Sequence, residues 1–561
     1  MLVDPTQKLT EDLKKIAVWG ILCASIVYVV GWFINVMDPD SAQYASITRE
    51  MLERGDFLTF TDQGREYLDK PPLLFWLSGI SFKLFGINNI AFRIPAFLAT
   101  LLALYSTFKF AELYYDKKTG YLAALILATV QATFLINHDV RTDTNLICWF
   151  VFSMWQMAVY LENKKPIHFI LAFVGIGLSM LAKGPIGLVA PGLGIFMHLA
   201  LRKEWKTLFN PIWIIGLAIV GIVLLPMSYG LYMQFDQHPE KIVNGLTGVS
   251  GLRFYYWTQS FGRITGENVW RNNVGPFFLS HNTLWAFFPW SLFLVLGLIR
   301  EGKNIFLHLT GKTMQKEFLI FFGLLLPFMA LSASAYQLPH YAFIVYPLGA
   351  IITAKYVLHV FYKPGISSAK LLYIIQTLVL TLLMVAVFML VWFCFPEHNL
   401  LAIIFYALLL IGFLYIAFAL KSPHKTILLC ILSAIGTNLI LNSYFYPELL
   451  KYQAGSEMGI LAKENGLSKG NFYCYKGGPP WAMNFYTDMT IPATDNFEDL
   501  IQKQNILIYT REEFVEDFKK VRPDLQVIHC MGEYPVSTPR MKFLNPATRE
   551  ETLKRKCLIK L

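Results

Sequence analysis

The chain has 561 residues, of which 55% are hydrophobic and only 15% are charged. Soluble domains carry roughly 25% charged residues, so the composition excludes a water-soluble enzyme of this length. The apolar content excludes a disordered chain, and 7 cysteines in 561 residues exclude a disulfide scaffold. The excess of 48 Lys and Arg over 38 Asp and Glu is typical of basic cytoplasmic loops rather than of nucleic-acid binding in such a chain. Composition therefore predicts a polytopic helical membrane protein.

Apolar stretches recur along the first 442 residues. A spanning helix needs roughly 20 mostly apolar residues, and about thirteen stretches are candidates. They lie at 16–37, 90–113, 120–136, 145–161, 167–182, 185–200, 212–231, 284–299, 317–332, 341–361, 371–395, 400–420 and 424–441. We therefore predict an all-α polytopic membrane domain over residues 1–442 and a separate domain over residues 443–561.

The distribution of Lys and Arg predicts the orientation of the spans. With the basic tail 1–15 in the cytoplasm, alternation places most short basic loops on the same side, as the positive-inside rule requires. An odd number of spans then puts the carboxyl terminus outside. Segment 71–86 is apolar but short, and a span there would invert every later loop. We predict that it is an interfacial helix within the first outer loop, 38–89, and that 232–283 forms a second long outer loop.

The carboxyl-terminal region loses the long apolar runs and gains charge. Segments 471–475, 506–510 and 527–530 have the composition of short strands, and 511–520 has that of an amphipathic helix. We predict a small extracytoplasmic α/β domain. Its cysteines Cys474 and Cys530 both fall on predicted strands, and two interpretations stay open: a disulfide in an oxidising compartment, or two buried free thiols.

The charges of the chain concentrate in the outer loops rather than in the spans. No Asp or Glu falls near the middle of a span, which argues against an ion-coupled transporter. Loop 38–70 holds eight acids and four bases, and loop 137–144 reads NHDVRTDT. Carboxylates can act as a base or bind sugar hydroxyls, and Lys or Arg can hold a departing phosphate. These loops indicate a substrate with a lipid tail and an anionic, sugar-like head.

Six motifs follow one another between residues 38 and 347. They are DPDSAQYASITREML (38–52), YLDKPPLLFWL (67–77), FRIPA (92–96), RTDTNL (141–146), AKGPIGLV (182–189) and LPHYAFIVYP (338–347). In their order and spacing they resemble membrane-embedded glycosyltransferases of the GT-C class, above all the lipid A aminoarabinose transferases and the dolichyl-phosphate-mannose-protein mannosyltransferase-like group. The resemblance implies a GT-C fold in the inner membrane, with the active site and the carboxyl-terminal domain in the periplasm.

The activity that the resemblance implies is transfer of a hexosyl or pentosyl unit from a polyprenyl-phosphate-linked donor. The acceptor would be a lipid A-like lipid, a glycan or a protein on the outer face, and direct displacement would invert the anomeric centre. No nucleic-acid partner is expected. The alternative is a transporter or flippase of lipid-linked glycans, and a further rival is a glycan-binding membrane protein without catalysis.

The resemblance also implies roles for individual residues. Asp40 and Asp143 would be the catalytic carboxylates. The substrate-binding residues would be Lys70, which faces the polyprenyl phosphate, together with Asp69, Lys183, Tyr341 and one of Arg253, Arg263 and Arg271. No cofactor is expected. The D-x-D spacing of Asp38 and Asp40 leaves a divalent metal open as the unfavoured alternative.

Three positions depart from the family pattern. Ser41 and Gln43 stand where the first loop often carries an acid and an arginine, and Gln337 stands where the later loop often carries a lysine. Without these two cations the resemblance does not point to one particular donor or acceptor. The reaction class still follows from the resemblance, because Asp40, Lys70 and Asp143 are retained.

Overall fold

Long apolar helices make up most of the fold, for which the computed structural model describes residues 5–260, 262, 272, 274–363, 365–395, 399–467 and 470–561. In these residues nine helices are long and apolar enough to cross a membrane. They are Gln7–Phe33, Asn89–Tyr114, Thr142–Asn163, Pro166–Lys183, Trp205–Asp236, Pro339–Tyr362, Ala369–Cys394, Leu400–Ala419 and Lys425–Leu450. The helices Lys117–Thr129 and Gln131–His138 meet at 55° and make a tenth span if they are taken together.

The other three predicted spans are also helical, but they fall short of that criterion. Ile186–Leu201 and Leu319–Ser332 are apolar and shorter. Ser291–Leu309 begins seven residues later than predicted, after a separate helix Phe278–Ala286, and its second half is charged. The predicted fold class, a polytopic helical membrane domain with a small carboxyl-terminal sheet, is confirmed, and the chain is an integral membrane protein.

The first loop folds as a compact unit on the bundle. It contains the helix Asp40–Arg54, a hairpin of β1 (Thr61–Asp62) and β2 (Arg65–Glu66), and the helix Leu73–Phe85. The last of these has 13 residues and so extends for about 20 Å, which is less than the roughly 30 Å of a hydrocarbon core. Its length therefore fits the predicted interfacial helix better than a span.

The buried Arg93 of the FRIPA motif joins this loop to the bundle. Its Nε donates to the carbonyl of His138 at 2.8 Å, and its Nη2 donates to the carbonyl of Asn35 at 3.3 Å. The two backbone segments bonded in this way lie just before loop 139–141 and just before Asp40. A structural arginine thus holds together the two loops that carry the predicted carboxylates.

The carboxyl-terminal domain is built on a five-stranded mixed sheet. Its strands are β3 (Asn471–Tyr475), β4 (Ala493–Thr494), β5 (Ile506–Arg511), β6 (Gln526–Glu533) and β7 (Lys554–Lys560), in the order β4-β3-β5-β7-β6. The strands β4, β3 and β5 are parallel, and β7 is antiparallel to both β5 and β6. The helices Ala454–Glu464, Trp481–Thr487, Phe497–Ile501 and Val515–Val521 pack around the sheet.

Three details of this domain differ from the sequence prediction. The last apolar helix continues to Leu450, beyond the predicted boundary at residue 442. The predicted helix 511–520 begins only at Val515, because β5 extends to Arg511 and a 3-10 turn follows it. The strand β7 was not predicted, since Lys and Arg occupy most of its first half.

The disulfide joins Cys530 to Cys557, so the predicted alternative of a Cys474–Cys530 bond is wrong. The sheet order explains the correction. Cys530 and Cys557 lie directly opposite each other on the antiparallel pair β6 and β7, whereas β3, with the buried free thiol of Cys474, is two strands away from β7.

The carboxyl-terminal domain is hydrogen-bonded to the chain just before Asp40. Gln453 accepts from the backbone amide of Asp38 at 2.9 Å and donates to the carbonyl of Val36 at 2.8 Å. The hydroxyl of Tyr486 accepts from the amide of Val36 at 2.9 Å. The position of the first outer loop therefore depends on the sheet domain.

At this junction the carboxyl of Asp38 is expected to destabilise the fold at neutral pH. Burial first, and the nearby carboxylate of Glu533 second, raise the pKa of Asp38 to about 7. The unfolded chain ionises this group near pH 4, so the penalty grows as the pH rises from about 4 to about 7 and stays constant above that range. Asp38→Asn should raise the Tm at pH 8 and leave it nearly unchanged at pH 4.

The control for this measurement is Asp517→Asn, which removes an exposed carboxylate from the sheet domain. It should shift the Tm little at either pH. The same Tm change for Asp38→Asn at pH 4 and pH 8 would contradict a buried, late-titrating carboxyl.

Candidate active site

A polar cavity lies where the first loop meets the ends of several bundle helices. It gathers most of the predicted site residues: Asp40, Asp69, Lys70, Asp143, Lys183 and Tyr341 all line it. The lining also contains aliphatic residues, among them Leu146, Val189 and Leu331. A cavity lined by both charged and aliphatic groups suits a ligand that joins a charged head to an apolar tail.

Asp40 is one of two partly exposed carboxylates in the cavity; the other, Asp69, is 39% exposed and pairs with Lys70. Asp40 lies in the first turn of the helix Asp40–Arg54, where the helix dipole favours a negative charge. Its Oδ2 accepts from Nη1 of Arg141 at 2.6 Å, and 36% of its side chain remains exposed. Arg141 also donates through Nε to Asp139 at 2.8 Å. Burial alone would lower the pKa of Arg141, but Asp139 and Asp40 raise it above its ordinary value.

Asp143 is buried and hydrogen-bonded to Lys183 through one of its oxygens. It occupies the first turn of the helix Thr142–Asn163, and its side chain is 3% exposed. One oxygen accepts from Nζ of Lys183 at 2.5 Å, and the other lies 3.8 Å from Nε2 of His340. Its neighbours on both sides hold the carboxylate in place, so that it in turn fixes Lys183 and His340.

The glycines of the AKGPIGLV motif explain how Lys183 reaches this position. The helix Pro166–Lys183 ends at Gly184, whose φ of +85° is accessible mainly to glycine. The chain then folds back so closely that a Cβ on Gly187 would lie 2.5 Å from the backbone nitrogen of Met180. The turn leaves Lys183 at the helix end, with its Nζ 4.6 Å from the ring centre of Tyr341.

Lys70 forms the second cationic corner of the cavity. Its Nζ lies 2.7 Å from Oδ2 of Asp69, and 21% of its side chain is exposed. Gln259 donates to the backbone carbonyl of Asp69, so a residue of the second outer loop holds this corner. Burial alone would lower the pKa of Lys70, but its anionic surroundings, Asp69 among them, raise it above the ordinary value. The ammonium therefore stays charged and in reach of an anionic ligand.

Of the predicted loop arginines, the described one is not brought together with these residues. Arg253 ends the short helix Gly251–Arg253 on an exposed surface and is absent from the cavity wall, while Arg263 and Arg271 lie outside the described residues. Gln337, the position without the expected lysine, is buried and donates to the carbonyl of Ser332 at 2.7 Å. It has a structural role in the loop that leads to His340.

Sequence reasoning missed three residues of the cavity: Arg141, His340 and Tyr44. Arg141 and His340 stand inside the matched motifs RTDTNL and LPHYAFIVYP, so their position in those motifs was the available signal. Tyr44 lies one turn after Asp40 on the same helix, and helical spacing alone places it beside the cavity.

The acids of the D-x-D spacing do not converge on one point. Asp40 lines the cavity, whereas Asp38 lies against Gln453 and Gly455 at the junction with the sheet domain. Another group of potential ligands in the described part of the chain is Glu512 with Cys530 and Cys557, and both of these cysteines are in the disulfide. The cavity therefore offers cations and single carboxylates rather than a preformed set of acidic metal ligands.

The chain is similar in sequence to known membrane glycosyltransferases. Residues 69–229 match the family model described as dolichyl-phosphate-mannose-protein mannosyltransferase. The chain is 26% identical over 360 residues to the undecaprenyl phosphate-alpha-4-amino-4-deoxy-L-arabinose arabinosyl transferase of Edwardsiella ictaluri, a match that covers 62% of this chain and 60% of that protein. The chain thus spans about 60% of the length of the curated relatives that it matches.

Solved structures are similar over nearly the whole fold. The crystal structure of ArnT from Cupriavidus metallidurans bound to undecaprenyl phosphate superimposes with a TM-score of 0.72 at 15% identity, and covers 97% of this chain and 98% of that one. The oligosaccharyltransferase AglB from Archaeoglobus fulgidus, in complex with an inhibitory peptide and a dolichol-phosphate, gives a TM-score of 0.50 at 13% identity and covers 89% and 70%. The chain has the fold of the GT-C glycosyltransferases and resembles the aminoarabinose transferases among them.

Proposed function

We propose that this chain transfers a sugar from a polyprenyl-phosphate-linked donor to an acceptor at the outer face of the inner membrane. The observation that carries the proposal is the cavity itself, because its lining holds a partly exposed carboxylate, Asp40, and two separate ammonium groups, Lys70 and Lys183. The names of the relatives and the ligand of the similar crystal structure support undecaprenyl phosphate as the carrier and a lipid A-like acceptor. A glycan or a protein is the other acceptor class.

The phosphate of the donor would lie against Lys70. This ammonium stands at the start of the helix Leu73–Phe85, where a polar loop meets an apolar segment, and so at the depth of a lipid headgroup. The aliphatic residues of the cavity lining, such as Leu146, Val189 and Leu331, would contact the beginning of the polyprenyl chain. A charged donor at the leaving group stabilises the negative charge that develops there as the glycosidic bond breaks.

Asp40 would act on the acceptor. An acceptor hydroxyl would attack the anomeric carbon as the bond from that carbon to the phosphate oxygen breaks, and its proton would pass to the carboxylate of Asp40. An acceptor that is already an anionic phosphate would need orientation only. Arg141 keeps the Asp40 carboxylate in one direction. Attack from the side opposite to the leaving group inverts the anomeric centre.

Asp143 would serve as a positioning residue rather than as the base. Its side chain is 3% exposed and one of its oxygens accepts from Lys183, so it is less accessible to an acceptor than Asp40. The sequence left Asp40 and Asp143 equivalent, and their contacts favour different roles. Tyr341 would support Lys183 through its ring.

The reaction can be tested with membranes that contain the chain and a panel of radiolabelled polyprenyl-phosphate sugars. We expect transfer of label from one of them to an acceptor lipid, glycan or protein, and loss of that transfer in Asp40→Asn. Movement of intact lipid-linked sugar across the membrane without a new glycosidic bond would instead identify a transporter or flippase.

A substitution of Lys70 should weaken the use of the donor. A contact between a charged donor and phosphate contributes roughly 1.5–3 kcal/mol, so Lys70→Ala should lower kcat/KM for the donor by about 10- to 100-fold. Lys70→Arg keeps the positive charge but replaces a compact ammonium group with a planar guanidinium group. It should therefore restore only part of the activity. Donor kinetics and Tm are measured for both variants in one detergent.

The matched control is Lys83→Ala in the interfacial helix that follows Lys70, because Lys83 is exposed and lies outside the cavity. Unchanged donor kinetics in Lys70→Ala would rule out the phosphate contact. Full activity in Lys70→Arg, with a Tm loss in Lys70→Ala, would make Lys70 a structural residue.

For the orientation, we propose that the amino terminus is cytoplasmic and that the sheet domain is periplasmic. The placement of the basic loops supports this orientation, and so does the Cys530–Cys557 disulfide, since such bonds persist in oxidising compartments. An alkaline phosphatase fusion after Leu561 should be active, whereas a fusion after Lys203, in a basic loop, should be inactive. The reverse pattern would place the cavity on the wrong side for a periplasmic reaction.

A further inference from the structure

A second cleft opens at the other end of the helix bundle. The span Pro339–Tyr362 contributes His340 to the active-site cavity at its start and Tyr362 to this cleft at its end. The 17-residue segment Tyr346–Tyr362 alone extends for about 25 Å. The cleft has a volume of about 580 Å³ and lies on the membrane face opposite to the candidate active site.

The walls of this cleft carry a surplus of positive charge. Four cations face two carboxylates there: Lys118, Arg300, Lys355 and Lys363 against Asp116 and Glu301. Each carboxylate is already paired, since Nζ of Lys118 lies 3.3 Å from Asp116 and Nζ of Lys355 lies 3.1 Å from Glu301. Within the described ranges, Arg300 and Lys363 have no acidic side chain at ion-pair distance. Two positive charges therefore remain for an anionic ligand.

The polar groups that are not already engaged include the donors of Arg300 and Asn304. Arg300 presents a planar fork that matches phosphate oxygens, and Asn304 follows it by four residues on the same helix face. The neighbouring tyrosine hydroxyls are occupied, because Tyr115 donates to Glu317 at 2.7 Å and Tyr362 bonds to His424 at 2.6 Å. The cleft thus selects for a phosphate-type anion rather than for a neutral polar molecule.

Apolar groups beside the cleft indicate that this phosphate belongs to a lipid. Leu9 and Leu358 line the cleft itself. On the helix that carries Arg300, the side chains of Ile299 and Phe306 are 65% and 63% exposed. Acyl chains can lie along such a surface, whereas free phosphate gains nothing from it.

We propose that this cleft binds the phosphate headgroup of an anionic membrane lipid, with Arg300 and Lys363 as its cationic ligands. Cationic pockets between helices are a common form of headgroup site. The site is separate from the sugar-transfer cavity, so either proposal can fail without the other.

The test measures the phosphatidylglycerol that the purified full chain retains from mixed micelles of phosphatidylglycerol and phosphatidylcholine, by native mass spectrometry. Because each cation near an anionic headgroup contributes about fivefold, the double variant Arg300→Gln with Lys363→Gln should retain at least about tenfold less phosphatidylglycerol. The control pair Lys312→Gln with Lys316→Gln removes two exposed charges from the loop after the same helix and should retain as much as the original chain. The single variant Arg300→Lys should retain more phosphatidylglycerol than Arg300→Gln, because lysine keeps the positive charge.

Equal losses in the double variant and in the control pair would overturn the site, because they would reflect the general charge of this face. Unchanged retention in the double variant would overturn it as well. A second arm replaces the lipid with inorganic phosphate and follows the Tm. Stabilisation by inorganic phosphate equal to that by phosphatidylglycerol at the same concentration would overturn the assignment to a lipid.

Discussion

Asp40→Asn should lower the rate of sugar transfer by about 100-fold or more, while the chain stays folded in detergent. The substitution removes one charge at nearly constant size from a partly exposed carboxylate of the cavity. Because 36% of this side chain is exposed, the change should cost little stability. The KM for the donor should change less than kcat, because the substitution leaves Lys70 and the aliphatic lining residues, which would bind the donor, unchanged. Both constants and the Tm are measured with the same donor.

The matched control is Asp56→Asn, which removes a carboxylate from the same loop outside the cavity wall. It should leave kcat within a few-fold of the original value. A kcat near the original value in Asp40→Asn would remove Asp40 from the chemistry. An equal loss in both variants would mean that the charge of the loop, rather than one carboxylate, matters.

Composition and hydropathy were enough to predict the membrane domain, because all thirteen apolar stretches are mainly helical. The number of spans follows less directly, for a physical reason. Ser291–Leu309 is long enough but carries Arg300, Glu301 and Lys303 in its second half, and the pair Lys117–Thr129 and Gln131–His138 is bent, so neither meets a simple criterion of length and hydropathy. Length and hydropathy describe straight apolar helices well and broken or charged ones poorly.

The cavity residues could be chosen from linear motifs, but their partners could not. Asp40 pairs with Arg141, 101 residues away, and Asp143 pairs with Lys183, 40 residues away. Helix packing creates both pairs, and nothing in the local sequence of either acid indicates that one is accessible and the other buried. The assignment of different roles to Asp40 and Asp143 therefore needed the three-dimensional structure.

The same reason explains the disulfide. Cys474 and Cys530 lie on segments with the composition of strands. Cys557 lies on β7, which the sequence does not predict as a strand because Lys and Arg occupy most of its first half. A pairing across a sheet follows from strand order, and strand order follows from long-range contacts. Once β7 lies between β5 and β6, Cys557 is the residue directly opposite Cys530.

Asp143 and Lys183 should behave as a coupled pair, with large effects on both stability and transfer. Their side chains are only 3% and 16% exposed. Breaking a buried pair by removing one partner costs about 3–5 kcal/mol, because the other charge is left buried without compensation. Asp143→Asn and Lys183→Met should therefore each lower the Tm, and each should lower transfer by about 100-fold or more.

The double variant Asp143→Asn with Lys183→Met separates the two effects. It removes both charges at nearly constant volume, so the Tm should recover toward the original value, with a coupling energy of about 1–3 kcal/mol. Transfer should not recover, because His340 and the donor phosphate lose their fixed neighbours. Additive losses of Tm would show that the two side chains do not depend on each other. Recovery of transfer together with the Tm would mean that the pair only supports the fold, and that Asp40, Arg141 and Lys70 carry the reaction without it.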